Sequence, residues 1–396
     1  MGELIGAREA ASRLRISVSS LYAYVSRGAL RRVPGPDGRS SLYDTDEVHA
    51  LAARSRPRTK KRAAASIDLL VASGVSAVTD GMVRYRGVPL ADLIDRGASF
   101  EGVAEFLWGA PSIHTGADWD LPSFPERSID ASVDAGSIVP HLIDAIIRTQ
   151  GDRRDPVPVP DWRAAGRDVI GAMLALKAVP AKTGQGAAGR SAATVRYRVA
   201  TRLWCQWSPL KPTAARVRAL NTALVLLAEH ELALSTISAR VAASARARPQ
   251  LCVIAGLAAL DGALHGRASA TLHERLTASR DPEAAGEEGQ VGFGHVVHRS
   301  DPRTSMLLDA VWPIASVRDR RRVEMFAREG GAAANVDLAL AALAHVGRMP
   351  IGSTTAIFAI ARAAGWIAHA QEEYGERPLR FRGHAIPKVP DAEATG

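Results

Sequence analysis

Four short segments in the second half of the chain decide how the sequence is interpreted. They are Ala228-Glu229-His230-Glu231, Gly262-Ala263-Leu264-His265-Gly266, Gly292-Phe293-Gly294-His295 with Asp301-Pro302-Arg303, and Asn335-Val336-Asp337. Three imidazoles, a carboxylate and nearby arginines suit acid–base chemistry on a small carboxylated substrate. Each segment has an ordinary structural explanation when taken alone, since most helical histidines are structural and an aspartate often caps a helix. The information lies in their order and their flanking residues.

The residues around these segments predict a body that is mainly α-helical. From residue 63 onward apolar side chains recur at helical spacing, and a short hairpin is expected at 78–86. Proline- and glycine-rich loops are expected at 151–161 and 180–190. The expected helices are Leu90–Asp95, Phe100–Trp108, Ala164–Lys177, Arg216–His230, Ser235–Ala247, Leu251–Ala263, Met306–Ala315, Val336–Ala344 and Thr355–Gln371.

Composition narrows the class of protein. The 396 residues are 47% apolar and 23% charged, which is ordinary for a globular protein of two or three domains. The two cysteines form no CxxC pair, and no signal peptide or apolar run of membrane length is found, so a cytoplasmic location is expected. The sequence has no nucleotide-binding glycine motif. The three key histidines are at least 30 residues apart, so no metal site is predicted.

Charge separates the N-terminus from the body. Residues 1–62 hold 13 Lys/Arg and 6 Asp/Glu, a net charge of +7, whereas the whole chain carries +9. The run Ser55-Arg56-Pro57-Arg58-Thr59-Lys60-Lys61-Arg62 is typical of a linker. We therefore expect a module at 1–58, a basic linker at 59–66 and a body at 67–396.

The N-terminal module has the pattern of a winged helix-turn-helix. A helix is expected at 7–14, a second at 21–27 behind a short turn, and a hairpin from 30–33 and 41–43. A last helix then runs through Ala53. The stretches Ala10-Ala11-Ser12-Arg13-Leu14 and Leu21-Tyr22-Ala23-Tyr24-Val25-Ser26-Arg27-Gly28 resemble the MerR/excisionase-like DNA-binding module.

This resemblance implies a set of DNA contacts. The second helix of that module enters the major groove, which would place Ser19, Ser20 and Tyr22 near bases. Phosphates would then be met by Arg27, Arg31 and Arg39. The alternative is a small basic module that packs on the body or assists assembly.

The order of the body segments resembles that of citrate synthases. The shared stretches include Arg84-Tyr85-Arg86-Gly87, Phe100 to Gly109, the four segments above, Phe358 to His369, and Glu376-Arg377-Pro378. The resemblance covers about 63–396. It implies an all-helical fold with a large domain at 67–264 and 349–396 and a small domain at about 265–348. It also implies a homodimer with shared active sites, the substrates oxaloacetate and acetyl-CoA, and no cofactor beyond the coenzyme A thioester.

The same resemblance implies a role for each site residue. Asp337 matches the carbon base, His265 the donor to the enolate oxygen, and His295 the group that polarises the ketone. The substrate carboxylates would be met by His230, Arg303, Arg362 and Arg377, with Arg377 supplied by the other subunit. Arg299 matches a contact to the phosphates of coenzyme A.

Departures from the family pattern leave the substrate open. Ala233 stands where the family usually has Asn, and Val296-Val297-His298 follows His295 in place of Arg-Val-Tyr. The alternatives are a 2-methylcitrate synthase that uses propionyl-CoA, or a DNA-binding regulator whose synthase-like body senses oxaloacetate, citrate or an acyl-CoA. A pure sensor has no need of the base Asp337, which favours an enzyme.

Overall fold

The chain divides into two compact units, residues 1–71 and 72–396. The computed structural model describes residues 4–14, 21, 25, 30–35, 40–45, 47–48, 69–79, 81–113, 119, 124–130, 138–149, 160–179, 197–263, 265–278, 301–329 and 334–383. Each unit has a hydrophobic core of its own.

The N-terminal unit is built on a three-stranded antiparallel sheet. Strand β3 (Ser41–Asp44) is central and pairs with β1 (Leu4–Gly6) and β2 (Val33–Pro34), while helix α1 (Ala7–Leu14) follows β1 directly. The backbone amide of Gly35 donates to the carbonyl of Ser40 and closes the hairpin. A small core holds the unit together, consisting of Ile5, Ala10, Ala11, Leu21, Leu30, Tyr43 and Val48.

Part of the predicted N-terminal pattern is confirmed. The helix at 7–14 and the antiparallel pairing of the hairpin are present, whereas strand β1 was not predicted. Of the expected second helix only Leu21 and Val25 are described, and both are helical. Thr45, Glu47 and Val48 are helical as well, and the remainder of the last expected helix lies outside the described residues.

The body is mainly α-helical, as expected. Its helices are α2 (Leu90–Asp95), α3 (Phe100–Leu107), α4 (Ile138–Ile147), α5 (Trp162–Met173), α6 (Arg198–Trp207), α7 (Ala214–Leu227), α8 (Leu234–Ser244), α9 (Pro249–Leu260), α10 (Ala268–Thr277), α11 (Pro302–Val311), α12 (Val317–Glu329), α13 (Val336–Val346) and α14 (Ser353–Tyr374). A 3₁₀ turn, Trp312–Ile314, joins α11 to α12.

In the described part of the body, two small sheets accompany the helices. Strands β4 (Ser76–Thr79), β5 (Met82–Tyr85) and β6 (Val88–Pro89) form an antiparallel sheet that contains the predicted hairpin. Strands β7 (Arg127–Asp130) and β8 (Leu176–Val179) pair in parallel.

The structure corrects one predicted helix and adds four. The helix expected over 164–177 ends at Met173, because the chain turns at Leu174 and Ala175 and then enters β8. Helices α4, α6, α10 and α12 were not predicted. Of the predicted loops, 151–159 and 180–190 lie outside the described residues.

Helix α14 lies at the centre of the body, and 18 of its 22 residues are buried. It contacts α3, α4, α5, α7, α8, α9, α10 and α13. Glycines allow the close crossings: a Cβ on Gly256 would lie 2.8 Å from the ring of Trp366, and a Cβ on Gly365 only 2.5 Å from the carbonyl oxygen of Ala228. These approaches fix the helix against its neighbours, since interiors are packed at crystal density.

A second, smaller core lies between α10, α12 and α13. Its buried members are Leu272, Leu276, Val323, Phe326, Leu338, Ala341 and Ala342. Among the described residues, no helix is both long and apolar enough to cross a lipid bilayer.

Candidate active site

Asp337 lies in the first turn of α13, where the chain emerges from an extended segment. The side chain of Asn335 caps the helix by accepting a hydrogen bond from the backbone amide of Asp337 at 3.0 Å. Burial raises the pKa of the Asp337 carboxyl to about 6, while the charges of Arg303 and Arg362 oppose the rise and that of Asp301 adds to it. The carboxyl is therefore ionised at neutral pH but is a stronger base than an exposed aspartate.

Arg303 is held by Asp301 at the start of α11. Its Nε donates to Oδ1 of Asp301 at 2.9 Å and its Nη2 to Oδ2 at 2.8 Å, and both side chains are buried. Burial acts to raise the pKa of Asp301, but its hydrogen bonds and charge contact with Arg303 bring it to about 2. Asp301 Oδ2 also accepts from the backbone amide of Val336 at 3.3 Å, so one carboxylate ties α11 to the helix that carries Asp337.

Arg362 is a buried cation in the middle of α14. Its Nε donates to the carbonyl oxygen of Leu227 at 2.9 Å, and its guanidinium lies over the ring of Phe358, 4.9 Å from the centroid. Burial lowers its pKa, and the nearby charge of Glu229 counters this effect. Because Leu227 accepts the hydrogen bond of Nε, the Nη nitrogens of the guanidinium remain to bind a ligand carboxylate.

His265 lies in the short connection between α9 and α10. Its Nε2 is 3.1 Å from Oγ of Ser235 at the start of α8, and its backbone amide donates to the carbonyl of Gly262. Burial, followed by the charge of Arg362, lowers its pKa. A neutral imidazole donates one hydrogen bond and accepts another. Gly266 must be a glycine here, because a Cβ would lie 2.1 Å from the carbonyl oxygen of Leu260.

The structure brings four of the predicted residues together. Arg362 acts electrostatically on His265, Arg303 and Asp337, although the four residues come from four different elements. His230 follows Leu227, whose carbonyl holds Arg362, by three residues and is partly buried. Two arginines, a carboxyl with a raised pKa and a neutral imidazole, all within electrostatic reach of Arg362, are groups that can bind an anion and move a proton.

Sequence reasoning missed the groups that support this site. Tyr85 and Glu229 belong to quoted segments but received no role, and Asp301 appeared only as part of its motif. The hydroxyl of buried Tyr85 lies within 3.3 Å of the carbonyls of Val225, Leu226 and Glu229 and 3.1 Å from the amide of Glu229, so it binds the turn before His230.

Glu229 begins a buried network that runs along α14. Its Oε1 lies 3.0 Å from Nε2 of His369, whose Nδ1 lies 2.9 Å from Nη1 of Arg240. Burial acts to raise the pKa of Glu229, but the contacts with His369 and Arg362 bring it below its usual range. Arg240 then pairs with Glu372 and Glu373, which fixes α8 against α14.

Arg377 lies away from this group in the single chain. It is exposed beyond the C-terminal end of α14, where Arg246 donates to the carbonyl of Glu376 and the amide of Leu379 donates to Ser244. Ser244 ends α8 and Ser235 lies near its start, so Arg377 and His265 adjoin opposite ends of a helix about 15 Å long.

The remaining predicted residues are mostly not described. His295 and Arg299 lie outside the described residues, as do Ser19, Ser20, Tyr22, Arg27 and Arg39. Arg31 is exposed, and its backbone amide donates to Glu47 at 3.1 Å. The part of the chain that the structure describes contains no group of three or more His, Cys, Asp or Glu side chains arranged to hold a metal.

The family of the chain follows from comparison with known proteins. The family model described as "Citrate synthase, C-terminal domain" matches residues 69–382. The chain belongs to the citrate synthase family. That family and its fold are those of citrate synthase-type acyltransferases.

Curated relatives carry two different names. A 2-methylcitrate synthase of Mycobacterium tuberculosis is 28% identical over 365 residues, covering 84% of this chain and 91% of the relative. A citrate synthase of Mycolicibacterium smegmatis is 33% identical over 187 residues, covering 42% of this chain and 50% of the relative. The match with the higher identity, to the citrate synthase, thus spans only half the length of that relative.

Solved structures show the same fold. A citrate synthase of Thermoplasma acidophilum, in ternary complex with carboxymethyl coenzyme A and oxaloacetate, has a TM-score of 0.56 at 19% identity and covers 81% of this chain and 94% of that one. The citrate synthase of Thermotoga maritima has a TM-score of 0.54 at 21% identity, covering 82% and 95%.

Proposed function

We propose that the protein condenses a short acyl-CoA with oxaloacetate and hydrolyses the resulting thioester, releasing coenzyme A. The observation that carries the proposal is the raised pKa of the Asp337 carboxyl, on which the buried Arg303 and Arg362 act, together with the neutral His265, on which Arg362 also acts. A carbon acid needs a base held close to it, and the product of deprotonation needs a donor in a dry site.

Each residue has one step in the proposed reaction. Asp337 removes a proton from the carbon next to the thioester carbonyl, and His265 donates a hydrogen bond to the enolate oxygen that forms. The enol carbon then attacks the ketone carbon of oxaloacetate while His295 supplies a proton to the ketone oxygen. Water finally cleaves the thioester, giving the tricarboxylate and free coenzyme A.

Binding of oxaloacetate falls to the cations. Arg362 offers its Nη edge and Arg303 its Nη1, since Nε and Nη2 of Arg303 are held by Asp301. We assign His230 a hydrogen bond to the same substrate and Arg299 a contact to the coenzyme A phosphates. Arg377 would reach the site of a second copy in a homodimer, which agrees with its exposure in the single chain.

We further propose the two-domain arrangement of the body, with residues 265–348 as a lobe that closes on the rest. The separate small core between α10, α12 and α13 supports this division, because a lobe that moves as a unit needs its own packed interior.

The acyl group is either acetyl or propionyl, and both are equally supported. Relatives named citrate synthase and 2-methylcitrate synthase match at similar identity. One additional methyl group changes discrimination by about 10- to 200-fold at most, so a few side chains decide it.

Thiol release tests the function directly. Purified full-length protein is given acetyl-CoA or propionyl-CoA, with and without oxaloacetate, and free thiol is measured. We expect release that depends on oxaloacetate with at least one of the two. If the protein binds oxaloacetate but releases no thiol with either acyl-CoA, the result would contradict an enzymatic function and favour the alternative of a metabolite-sensing regulator.

For the N-terminal unit we propose DNA binding through a winged helix-turn-helix at 1–58, joined to the body by the basic linker 59–66. The net charge of +7 over residues 1–62, module and linker together, and the adjacent exposed Arg31 and Arg32 before strand β2 support this role. Phosphate contacts make affinity fall steeply with salt. In gel-shift titrations Arg31→Ala should weaken binding to all sequences, whereas Arg321→Ala, an exposed arginine of the body, should not. Protein that binds no genomic fragment better than random DNA at low salt would contradict a specific regulator.

A further inference from the structure

A cavity of about 450 Å³ lies where the ends of α10 and α13 meet the start of α12. Its lining is unusually rich in nitrogen groups: three arginines and two histidines face one another with a single carboxylate. These six residues are Arg318, Arg322, Arg348, His273, His345 and Asp319. The cavity adjoins the C-terminal end of α13, whereas Asp337 lies at the N-terminal end, so it is separate from the candidate active site.

The carboxylate in the cavity is already neutralised. Asp319 Oδ2 accepts from Oγ of Ser316 at 2.7 Å and from Nη2 of Arg348 at 3.0 Å, and its Oδ1 lies 3.3 Å from Nε2 of His345. One arginine therefore balances Asp319. The charges of Arg318 and Arg322 remain, giving the lining an excess of two positive charges.

The arginines also mask the helix ends that would repel an anion. The C-terminal carbonyls of α10 accept from Arg322, whose Nη2 reaches Arg275 O at 3.4 Å and also Ala278 O. Nη1 of Arg348 reaches His345 O at 3.4 Å near the end of α13. The third helix end is the N-terminus of α12, which Ser316 caps by accepting from the amide of Asp319 and whose helix dipole favours negative charge nearby.

Two buried nitrogens in this lining have no partner among the described residues. His273 is 1% exposed, and its Nδ1 makes no hydrogen bond; the same holds for Nε of Arg322. A buried polar atom left without a partner is costly, so native structures pair such atoms with protein, water or a ligand. Burial, together with the nearby His345, holds the pKa of His273 at about 4, so this ring is neutral at physiological pH and can donate or accept.

From the cavity, its charge excess and its unpartnered nitrogens, we propose that this pocket binds a phosphate-bearing anion of small-molecule size. Planar guanidinium forks match phosphate oxygens, and the excess of two charges matches a diphosphate group. The volume admits either inorganic diphosphate or a nucleoside diphosphate, and the apolar Leu276 and Met349 on the lining could pack against a nucleoside. The competing explanation is that water fills the cavity and the arginines serve only Asp319 and the helix ends.

Substitution of Arg318 tests the proposal most directly. It is exposed at the start of α12 and lines the cavity, so Arg318→Ala removes an anion contact while leaving the Asp319 pairs in place. The matched control is Arg320→Ala, two residues along the same helix, because Arg320 pairs with Glu324 and lies over Trp312 outside the cavity. Circular dichroism checks that both variants remain folded.

The experiment titrates magnesium-free inorganic diphosphate, and separately ADP, into the full chain by calorimetry. We expect one site for at least one probe, weakened by at least about tenfold in Arg318→Ala and by less than about threefold in Arg320→Ala. Binding of diphosphate alone would identify the free anion, and tighter binding of ADP a nucleotide. No binding of either probe at millimolar concentration, or binding unchanged by Arg318→Ala, would overturn the proposal.

Discussion

Asp337 is the residue on which the proposed chemistry depends most. Asp337→Asn keeps the size of the side chain and the Asn335 cap but cannot accept a proton. We expect the rate to fall at least about 100-fold, the usual contribution of a positioned base, with the fold unchanged. Asp309→Asn is the control, since Asp309 is exposed on α11. Retention of more than about a tenth of the wild-type rate in Asp337→Asn would contradict the assignment.

The raised pKa of Asp337 predicts a pH profile as well. Because the base must be ionised and its pKa is about 6, kcat/KM should rise as pH increases through about 6 and then level off. Initial rates between pH 5 and 8 test this directly. A profile that is flat down to pH 5 would mean that another group, or an Asp337 with an ordinary pKa, takes the proton.

Glu101 predicts a pH dependence of stability. Burial raises its pKa from 4.5 to about 7, although backbone hydrogen bonds from Val199 and others oppose the rise. The folded state therefore binds the proton more tightly than the unfolded state. The contribution of Glu101 to the free energy of unfolding should therefore be greatest below pH 4.5. It should fall by at most about 3 kcal/mol as pH rises to 7.

Substitution isolates that effect. Glu101→Gln has no charge to bury and keeps an oxygen for the amide of Val199, so its free energy of unfolding should lose this decline between pH 4.5 and 7. Denaturant titrations at several pH values compare it with wild type and with Glu324→Gln, a partly exposed glutamate on α12. The assignment is wrong if Glu101→Gln and wild type show parallel pH dependence.

The sequence nominated candidate reacting residues but gave no information on their electrostatic state. Motif order picked out Asp337, His265, Arg303 and Arg362. Nothing in the sequence indicated that Asp301 holds two nitrogens of Arg303, or that Tyr85, 145 residues upstream of His230, binds the turn before it. These contacts arise from packing between elements distant in sequence, which a local pattern does not record.

At the scale of elements, Gly365 makes the crossing of α14 possible. Helix propensity alone predicts that Gly→Ala inside a helix stabilises a protein by about 1 kcal/mol. The structure predicts the reverse, because the new Cβ would lie 2.0 Å from Oε2 of Glu229 and 2.5 Å from the carbonyl oxygen of Ala228. Gly365→Ala should lower the free energy of unfolding by about 1–3 kcal/mol and weaken oxaloacetate binding, since Arg362 precedes it by three residues.

Gly383→Ala is the matched control for this crossing. Gly383 is exposed and a Cβ there meets nothing within 4 Å, so its substitution should be neutral. Chemical unfolding and substrate titration compare the two variants. Equal stability of Gly365→Ala and wild type would show that α14 can shift without cost.

Helices with apolar side chains at regular helical spacing were the elements that the sequence predicted best. The helices whose bounds lie within three residues of those expected are α2, α3, α7, α8, α9, α13 and α14. Strand β8 was mistaken for a helix end, because its four residues gain their strand character only from parallel pairing with β7, 49 residues earlier. Helix α12 was missed, since five arginines in 13 residues dilute its apolar stripe.

At the scale of the whole molecule, the proposed sharing of sites between two subunits predicts complementation between inactive chains. In a hybrid dimer of Arg377→Ala with His265→Ala chains, one of the two sites carries neither lesion, so activity should return. Co-expressed chains with different tags allow hybrids to be isolated. The control is a hybrid of His265→Ala with Asp337→Ala, in which each site keeps one lesion. Equal inactivity of both hybrids would place Arg377 in the site of its own chain.

The central position of α14 has a further consequence for the motions of the body. Amides exchange with solvent water when the surrounding structure opens, and the slowest ones require global unfolding. Because α14 touches eight other helices and is buried along most of its length, amides around 359–370 should exchange last. Arg362 and His369 would then rest on the most slowly opening segment of the body, so the substrate contact proposed for Arg362 would persist while less protected segments open locally.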